Sequence, residues 1–303
     1  WNERINMLAL SVPWIIFGLF KKVVLSDTLS SKITPLMEKA TNVGISSLEA
    51  WTIALACFPI IYFDFSGYSD IAVGLGLLLG VYLPYNFNAP HRSSSNRSGW
   101  QRWHITFHNF VRDHIYGPLS RRWKKHTWGA AAAIFVTFVI SALWHGDGLH
   151  FMVWALLAFL LFIMLDKLIP LLPKHTHSPA NLILRNMTVI ILPLIFITSD
   201  INAALIITSK MFHLYELFLN IKSASPIFLL KFLLLIFLLI ALNGEIATQV
   251  LLNKNYDHPE RHFFGYRPPP WQFSLGWALI LLIMFMISII FIDQSKAFYY
   301  AKF

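Results

Sequence analysis

Cysteine is almost missing from this chain: Cys57 stands alone among 303 residues, which excludes an intrachain disulfide and a thiolate zinc cluster. Its neighbours, Ala54-Leu55-Ala56 and Phe58, are those of a small buried hydrophobe. Charge is scarce too. Asp, Glu, Lys and Arg make up 13% of the residues, where a soluble domain carries about 25%. Acid is the scarcer sign, 15 residues against 24 Lys and Arg. Runs that alternate apolar and polar over about ten residues, the mark of a membrane barrel, are absent. So are a Gly-, Ser- or charge-rich linker and a repeat of fixed period, which leaves a single domain over residues 1–303. The first residue is Trp1, and no basic, apolar, small-residue cleavage pattern follows it, so we expect a piece of a longer protein.

What the chain has instead is apolar length: 56% of it is hydrophobic and 16% aromatic. Helices of roughly 17–25 apolar residues cross a ~30 Å hydrocarbon core. Pro268 to Ile292 carries no charge; Thr127 to Gly146 and Gly148 to Leu165 form a pair broken only at Asp147. Ala224 to Gly244 is interrupted by Lys231 alone, whose stem can snorkel. Ile5 to Phe20, Ser46 to Phe63 and Asn186 to Ser199 are shorter or contain proline. We expect an all-α, polytopic membrane bundle of six to eight helices.

Basic charge is concentrated. Between His91 and His126 stand eight Lys and Arg against Asp113, seven of the chain's nine net positive charges. The positive-inside tendency puts this segment on the cytoplasmic side. Anionic lipid or an anionic donor is a simpler partner for it than nucleic acid. Arg121-Arg122-Trp123-Lys124-Lys125 reads as a topology signal. Within Gly99 to Leu119, Trp100, Trp103, Phe107, Phe110, Val111 and Ile115 recur at three- and four-residue spacing, which predicts an amphipathic helix along the membrane surface or over a cavity.

Three places set ionisable side chains against apolar runs, where they are costly and tend to be functional. In Tyr62-Phe63-Asp64-Phe65-Ser66-Gly67-Tyr68-Ser69-Asp70, two carboxylates sit among aromatics. They cap or hydrogen-bond to Ser66, Tyr68 and Ser69, or bind a cation or relay protons; the pattern leaves both open. Trp100-Gln101-Arg102-Trp103-His104 places a histidine on an aromatic helix face. His145, in Leu143-Trp144-His145-Gly146, follows an apolar run that carries it ~24 Å along a helix at 1.5 Å per residue. A neutral imidazole suits a general base at physiological pH. A buried structural histidine fits those facts as well. Gly146 and Gly148 leave room for a substrate or for a helix break. His175 and His177 lack a third ligand nearby and read as a polar loop, so no metal site is expected.

Taken together these segments resemble the membrane-bound O-acyltransferase family, in particular its bacterial branch that contains the alginate O-acetylation membrane subunit, and more distantly the membrane protein of teichoic-acid D-alanylation. The similarity runs from Tyr62 to Gly74, through Pro84-Tyr85-Asn86-Phe87-Asn88-Ala89-Pro90, Trp100 to Phe107 and Arg112-Asp113-His114-Ile115-Tyr116-Gly117-Pro118-Leu119, to Leu143-Trp144-His145-Gly146. Weaker similarity extends from Gly18-Leu19-Phe20-Lys21-Lys22 to the aromatic C-terminus. The chain departs from the branch at Thr106-Phe107, at His108 to His114, at Asp147 and around Phe196 to Asp200.

The resemblance implies helices packed around a central tunnel, with amphipathic or re-entrant segments, and N-terminal helices of the family lying outside this chain. It implies transfer of an acyl group, acetyl by preference, from a cytoplasmic thioester (acetyl-CoA or an acyl carrier) to a hydroxyl of an extracytoplasmic polysaccharide or a carrier. No bound cofactor is implied. His145 would be the catalytic base and His104 a second functional imidazole. Trp144, Trp103, Arg102, Arg112, Asp113, Asn86, Asn88, Asp64, Tyr68 and Asp70 would line the substrate site; from charge and position alone, and not from the resemblance, Arg102 and Arg112 are expected on the donor's phosphates. The setting would be the bacterial cytoplasmic membrane, beside extracytoplasmic partner proteins that acetylate a polysaccharide. Two other classes remain: a proton-coupled transporter using Asp64, Asp70 and His145, and a non-catalytic scaffold subunit.

Overall fold

The computed structural model describes residues 2–90, 93, 96–168, 179–223, 225 and 274–294. The expected span at 224–244 with Lys231, the loops around His175 and at 253–270, and the C-terminal aromatics lie outside these residues. All regular structure among the described residues is helical. The helices are α1 (Asn2–Leu19), α2 (Thr28–Asn42), α3 (Ser47–Leu78), α4 (Asn96–Arg102), α5 (Ile105–Val111), α6 (Gly117–Arg122), α7 (Gly129–His145), α8 (Leu149–Leu168), α9 (Pro179–Ile197), α10 (Ile201–Met211), α11 (Leu214–Ser223) and α12 (Leu275–Phe291). Two π-helical segments, Phe20–Asp27 and Arg112–Tyr116, join α1 to α2 and α5 to α6 without a break.

Two helical stretches, Met7–Asn42 and Ser47–Leu78, are long and apolar enough to cross a membrane, and α7, α8, α10, α12 and the second half of α9 are shorter apolar helices. Pro13, Pro35, Pro59 and Pro193 all lie inside helices. The expected end of a span at Phe63 is passed by fifteen residues, because α3 continues to Leu78. The outward faces of α8 and α12 expose Leu156, Leu160, Leu282, Ile283, Met286 and Ile290. Apolar area of this extent is at home in lipid rather than in water.

Packing divides the chain into two compact units, one of residues 1–32, 59–92 and 236–302, the other of residues 33–58, 93–235 and 303. In the first, α1 and the π-helical turn after it pack on α12. Met7, Trp14, Val73 and Leu77 form a core there, and Tyr85 stacks on Trp14 with ring centroids 5.3 Å apart. Backbones of α1 and α3 come very close: a Cβ on Gly67 would lie 2.7 Å from the Gly18 carbonyl oxygen, and one on Gly74 2.8 Å from that of Ser11. Small residues at such crossings let membrane helices gain dispersion contact where no hydrophobic drive exists.

In the second unit, α7 packs along α8, α8 along α9, and α6 and the second π-helical segment along α7. The paired apolar runs therefore form the helical hairpin their sequence predicts, closed by the three residues 146–148. Gly146, at φ +147°, ends α7 in a conformation that side chains rarely adopt. The start of α3 is a capping box: the Ser46 N–H donates to Glu49 Oε2 at 2.8 Å and the Glu49 N–H to Ser46 Oγ at 3.3 Å. Glu216 on α11 accepts from the Ser47 N–H at 3.2 Å, and the Trp51 indole N–H donates to the Met211 carbonyl at 3.0 Å. These bonds tie α10 and α11 to the first turns of α3.

The single amphipathic helix expected over Gly99 to Leu119 is not continuous. It breaks between Arg102 and Ile105, where His104 takes φ 43° and ψ 58° in the left-handed region. The aromatic spacing runs through this break, which is why the pattern does not reveal it.

Candidate active site

The break in the amphipathic segment sets the geometry of the site in the second unit. By turning the chain at His104, it starts α5 beside the C-terminus of α7. Phe107, one turn into α5, stacks on Trp144 with centroids 4.4 Å apart and planes 28° apart. Both candidate imidazoles touch this ring pair. His104 lies 5.2 Å from Phe107 and 5.8 Å from Trp144; His145 lies 6.3 Å and 4.9 Å from the same rings.

His145 is the last residue of α7 and is buried, at 7% exposure, whereas its neighbour Trp144 is 55% exposed. Three further rings enclose the imidazole. Phe196 from α9 meets it edge-on at 4.8 Å, and Phe151 and Trp154 from α8 stand at 5.9 Å and 6.1 Å. An imidazole held edge to face by aromatic rings keeps one orientation. The sequence reading missed Phe107, Phe151, Trp154 and Phe196; the only signal was aromatic residues placed near both histidines' helices.

His104 titrates well below its ordinary range. Partial burial strips water from the cationic form and lowers its pKa from 6.5 to about 4. It is therefore a neutral hydrogen-bonding group at physiological pH. Trp103 packs its ring 6.0 Å from Phe58, and the Arg102 Nε–H donates to Ser98 Oγ at 3.2 Å. Arg112 and Asp113 lie exposed on the second π-helical segment and engage each other, Nε to Oδ1 at 2.7 Å and Nη2 to Oδ2 at 2.9 Å. That guanidinium holds the Asp113 carboxyl below its usual range. Arg112 also reaches Asn109 Oδ1 at 3.0 Å.

The other candidates belong to the first unit. Asp64 and Asp70 are buried, and their charged partners are lysines rather than the serines and tyrosine nearest in sequence. Lys21 donates to Asp70 at 2.7 Å; Lys22 donates to Asp27 at 2.6 Å and pairs with Asp64 at 2.8 Å. All five residues are at most 7% exposed. The two lysines come from the π-helical turn, whose wider spacing lets adjacent residues both serve α3. Carboxylates so deep in an apolar unit require cations more than hydroxyls, because pairing offsets desolvation. Asn86 donates weakly to Ser69 Oγ at 3.4 Å, Asn88 is exposed, and Tyr68 is 51% exposed. The sequence offered one clue to this network, the pair Lys21-Lys22 at the end of an apolar run. No group of three or more His, Cys, Asp and Glu that could hold a metal ion occurs among the described residues.

Residues 144–146 thus end an apolar helix with a buried imidazole caged by aromatics, and a second imidazole is held on the same ring pair. The chain is 38% identical over 158 residues to the peptidoglycan O-acetyltransferase of Helicobacter pylori, covering 52% of this chain and 29% of that protein. It is 37% identical over 140 residues to the "Probable alginate O-acetylase AlgI" of Pseudomonas aeruginosa, covering 45% and 26%. With the teichoic acid D-alanyltransferase of Streptococcus thermophilus it shares 27% identity over 153 residues, 48% of this chain and 37% of that protein. Residues 1–200 match the membrane-bound O-acyltransferase (MBOAT) family, and the chain belongs to that family.

Proposed function

We propose that the protein is an O-acyltransferase of the bacterial cytoplasmic membrane, crossing it several times around a tunnel that admits donor and acceptor. It moves an acetyl group from a cytoplasmic thioester, acetyl-CoA or an acyl carrier, to a hydroxyl of an extracytoplasmic polysaccharide or a carrier. The observation that carries this reading is the placement of His104 and His145 on one pair of stacked rings, Phe107 and Trp144. The substrate class is drawn from the relatives' names, one an acetyltransferase of peptidoglycan and the other a probable acetylase of alginate.

In this reaction the acceptor oxygen attacks the thioester carbonyl carbon while His145 takes the hydroxyl proton. The tetrahedral oxyanion collapses, the carbon–sulfur bond breaks, and the thiolate leaves and is protonated. A positioned base contributes about 10² to 10⁴-fold. His104, neutral at the working pH, donates a hydrogen bond to the carbonyl oxygen as it gains charge, a role worth about 10² to 10³-fold. Proteins that hand the acetyl group on to the polymer outside the membrane are the expected partners.

The test is acyl transfer from a radiolabelled acetyl thioester by the full-length protein in lipid nanodiscs. His145→Ala should reduce turnover at least 10²-fold with an unchanged melting temperature. Full activity in that variant would remove His145 from the chemistry.

A further inference from the structure

A third imidazole stands beside the site. His150 opens α8, five residues after His145 across the Gly146–Gly148 turn, in Gly148-Leu149-His150-Phe151. It is 8% exposed, and its Nε2 is buried without a hydrogen-bond partner among the described residues. Its ring contacts Phe151 at 4.0 Å, and Phe151 in turn meets His145 at 5.9 Å. The backbone is shaped around it: a Cβ on Gly148 would lie 2.6 Å from His150 Nδ1. Gly148 therefore makes room for this imidazole, not for a substrate. An apolar side chain of similar size would fill the same space without an unpaired polar atom.

We propose that His150 binds the acceptor, its Nε2 hydrogen-bonding a hydroxyl of the polymer or carrier next to the one that is acylated. The inference rests on the acyltransferase reading above. The chemistry of the ring assigns His150 to the acceptor: a neutral imidazole both donates to and accepts from a hydroxyl, the group that a polysaccharide acceptor carries beside the one acylated.

A buried polar atom left unpaired is costly, and a ligand that pairs with it gains the difference. Loss of one such hydrogen bond corresponds to roughly 5- to 10-fold in affinity.

The experiment uses the full-length protein in nanodiscs, acetyl-CoA as donor, and an alginate hexasaccharide and a peptidoglycan disaccharide as acceptors. His150→Leu should raise the acceptor KM about 5- to 10-fold while the donor KM and the kcat at saturating acceptor stay within about twofold. His150→Gln, which retains a side-chain donor and acceptor, should recover most of the affinity. Gly148→Ala, which displaces the ring, should reproduce the KM defect in a protein that keeps the histidine, and so covers the case in which His150→Leu does not fold. A donor KM that shifts, a loss of thermal stability with wild-type acceptor KM, or a wild-type turnover independent of both acceptors would each overturn the proposal. His145→Ala is assayed in parallel. If it stays active while His150→Leu raises the acceptor KM, the base assignment falls and the acceptor assignment stands.

Discussion

Phe107 lies flat against Trp144, with centroids 4.4 Å apart, and this contact seats the start of α5, just after His104, on the end of the helix that closes with His145. Neither histidine needs to touch the other for their separation to be fixed. Each is set against the same two rings, so an error in that stack becomes an error in the distance between two reacting groups.

Phe107→Leu should therefore cost more in rate than in stability. The smaller side chain keeps apolar volume but loses the stack, worth about 0.5–1.5 kcal/mol beyond its area. A displacement of about 1 Å at the site costs on the order of 10²-fold. We expect kcat to fall about 10- to 100-fold with a melting temperature within a few degrees of wild type. Steady-state acetyl transfer and differential scanning fluorimetry on the same preparation decide it; a proportional loss in both would assign the ring to folding alone.

The His104 imidazole gives a pH dependence of defined sign. Its folded pKa, about 4, lies below the ordinary 6.5, so between those values the unfolded chain binds the proton more readily than the folded one. Stability from this group is thus complete above about pH 6.5 and is lost as pH falls from there toward 4. His104→Asn removes that titration. Melting curves from pH 7.5 to 4.5 should show wild type losing stability more steeply than the variant; parallel curves would contradict the assignment.

Lys21 and Asp70 form a buried pair whose halves are unequal to the whole. Asp70→Ala leaves an ammonium buried without its 2.7 Å partner, and breaking such a pair costs about 3–5 kcal/mol. Replacing both, as Lys21→Met with Asp70→Leu, removes the charges together and should recover most of that loss. Thermal unfolding of the single and double variants in one detergent provides the cycle. A double variant as unstable as the single would mean that the remaining charges of the cluster depend on this pair.

Gly67→Ala sets two opposing effects against each other. Alanine is the better helix former by about 1 kcal/mol. Its Cβ, however, would stand 2.7 Å from a backbone oxygen of α1 and 3.0 Å from the Lys22 nitrogen, atoms that cannot rotate away. Overpacking of this kind costs about 1–3 kcal/mol, so the melting temperature should fall. A rise would show that α1 and α3 can separate freely.

What the sequence disclosed was governed by range. The α7–α8 hairpin was legible because two uncharged runs flank Gly146-Asp147-Gly148, and length in an apolar run is a local property. His145 was legible for the same reason, as the one imidazole at the end of such a run. The partners of Asp64 and Asp70 were not, since Lys21 lies 49 positions from Asp70 and only packing brings them together. The nearer hydroxyls of Ser66, Tyr68 and Ser69 offered a plausible but incomplete answer. The break at His104 was hidden differently. Aromatic residues continue at helical spacing on both sides of it, and a single left-handed residue leaves no trace in periodicity.

That left-handed residue sets stability against chemistry at one position. A non-glycine side chain at φ 43° holds the backbone in a conformation disfavoured by roughly 1–2 kcal/mol, and glycine would relieve it. A chain chosen only for persistence would carry glycine at position 104. The difference between His104→Gly and His104→Ala, two variants equally without an imidazole, measures how much stability the protein forgoes to keep a ring at that turn.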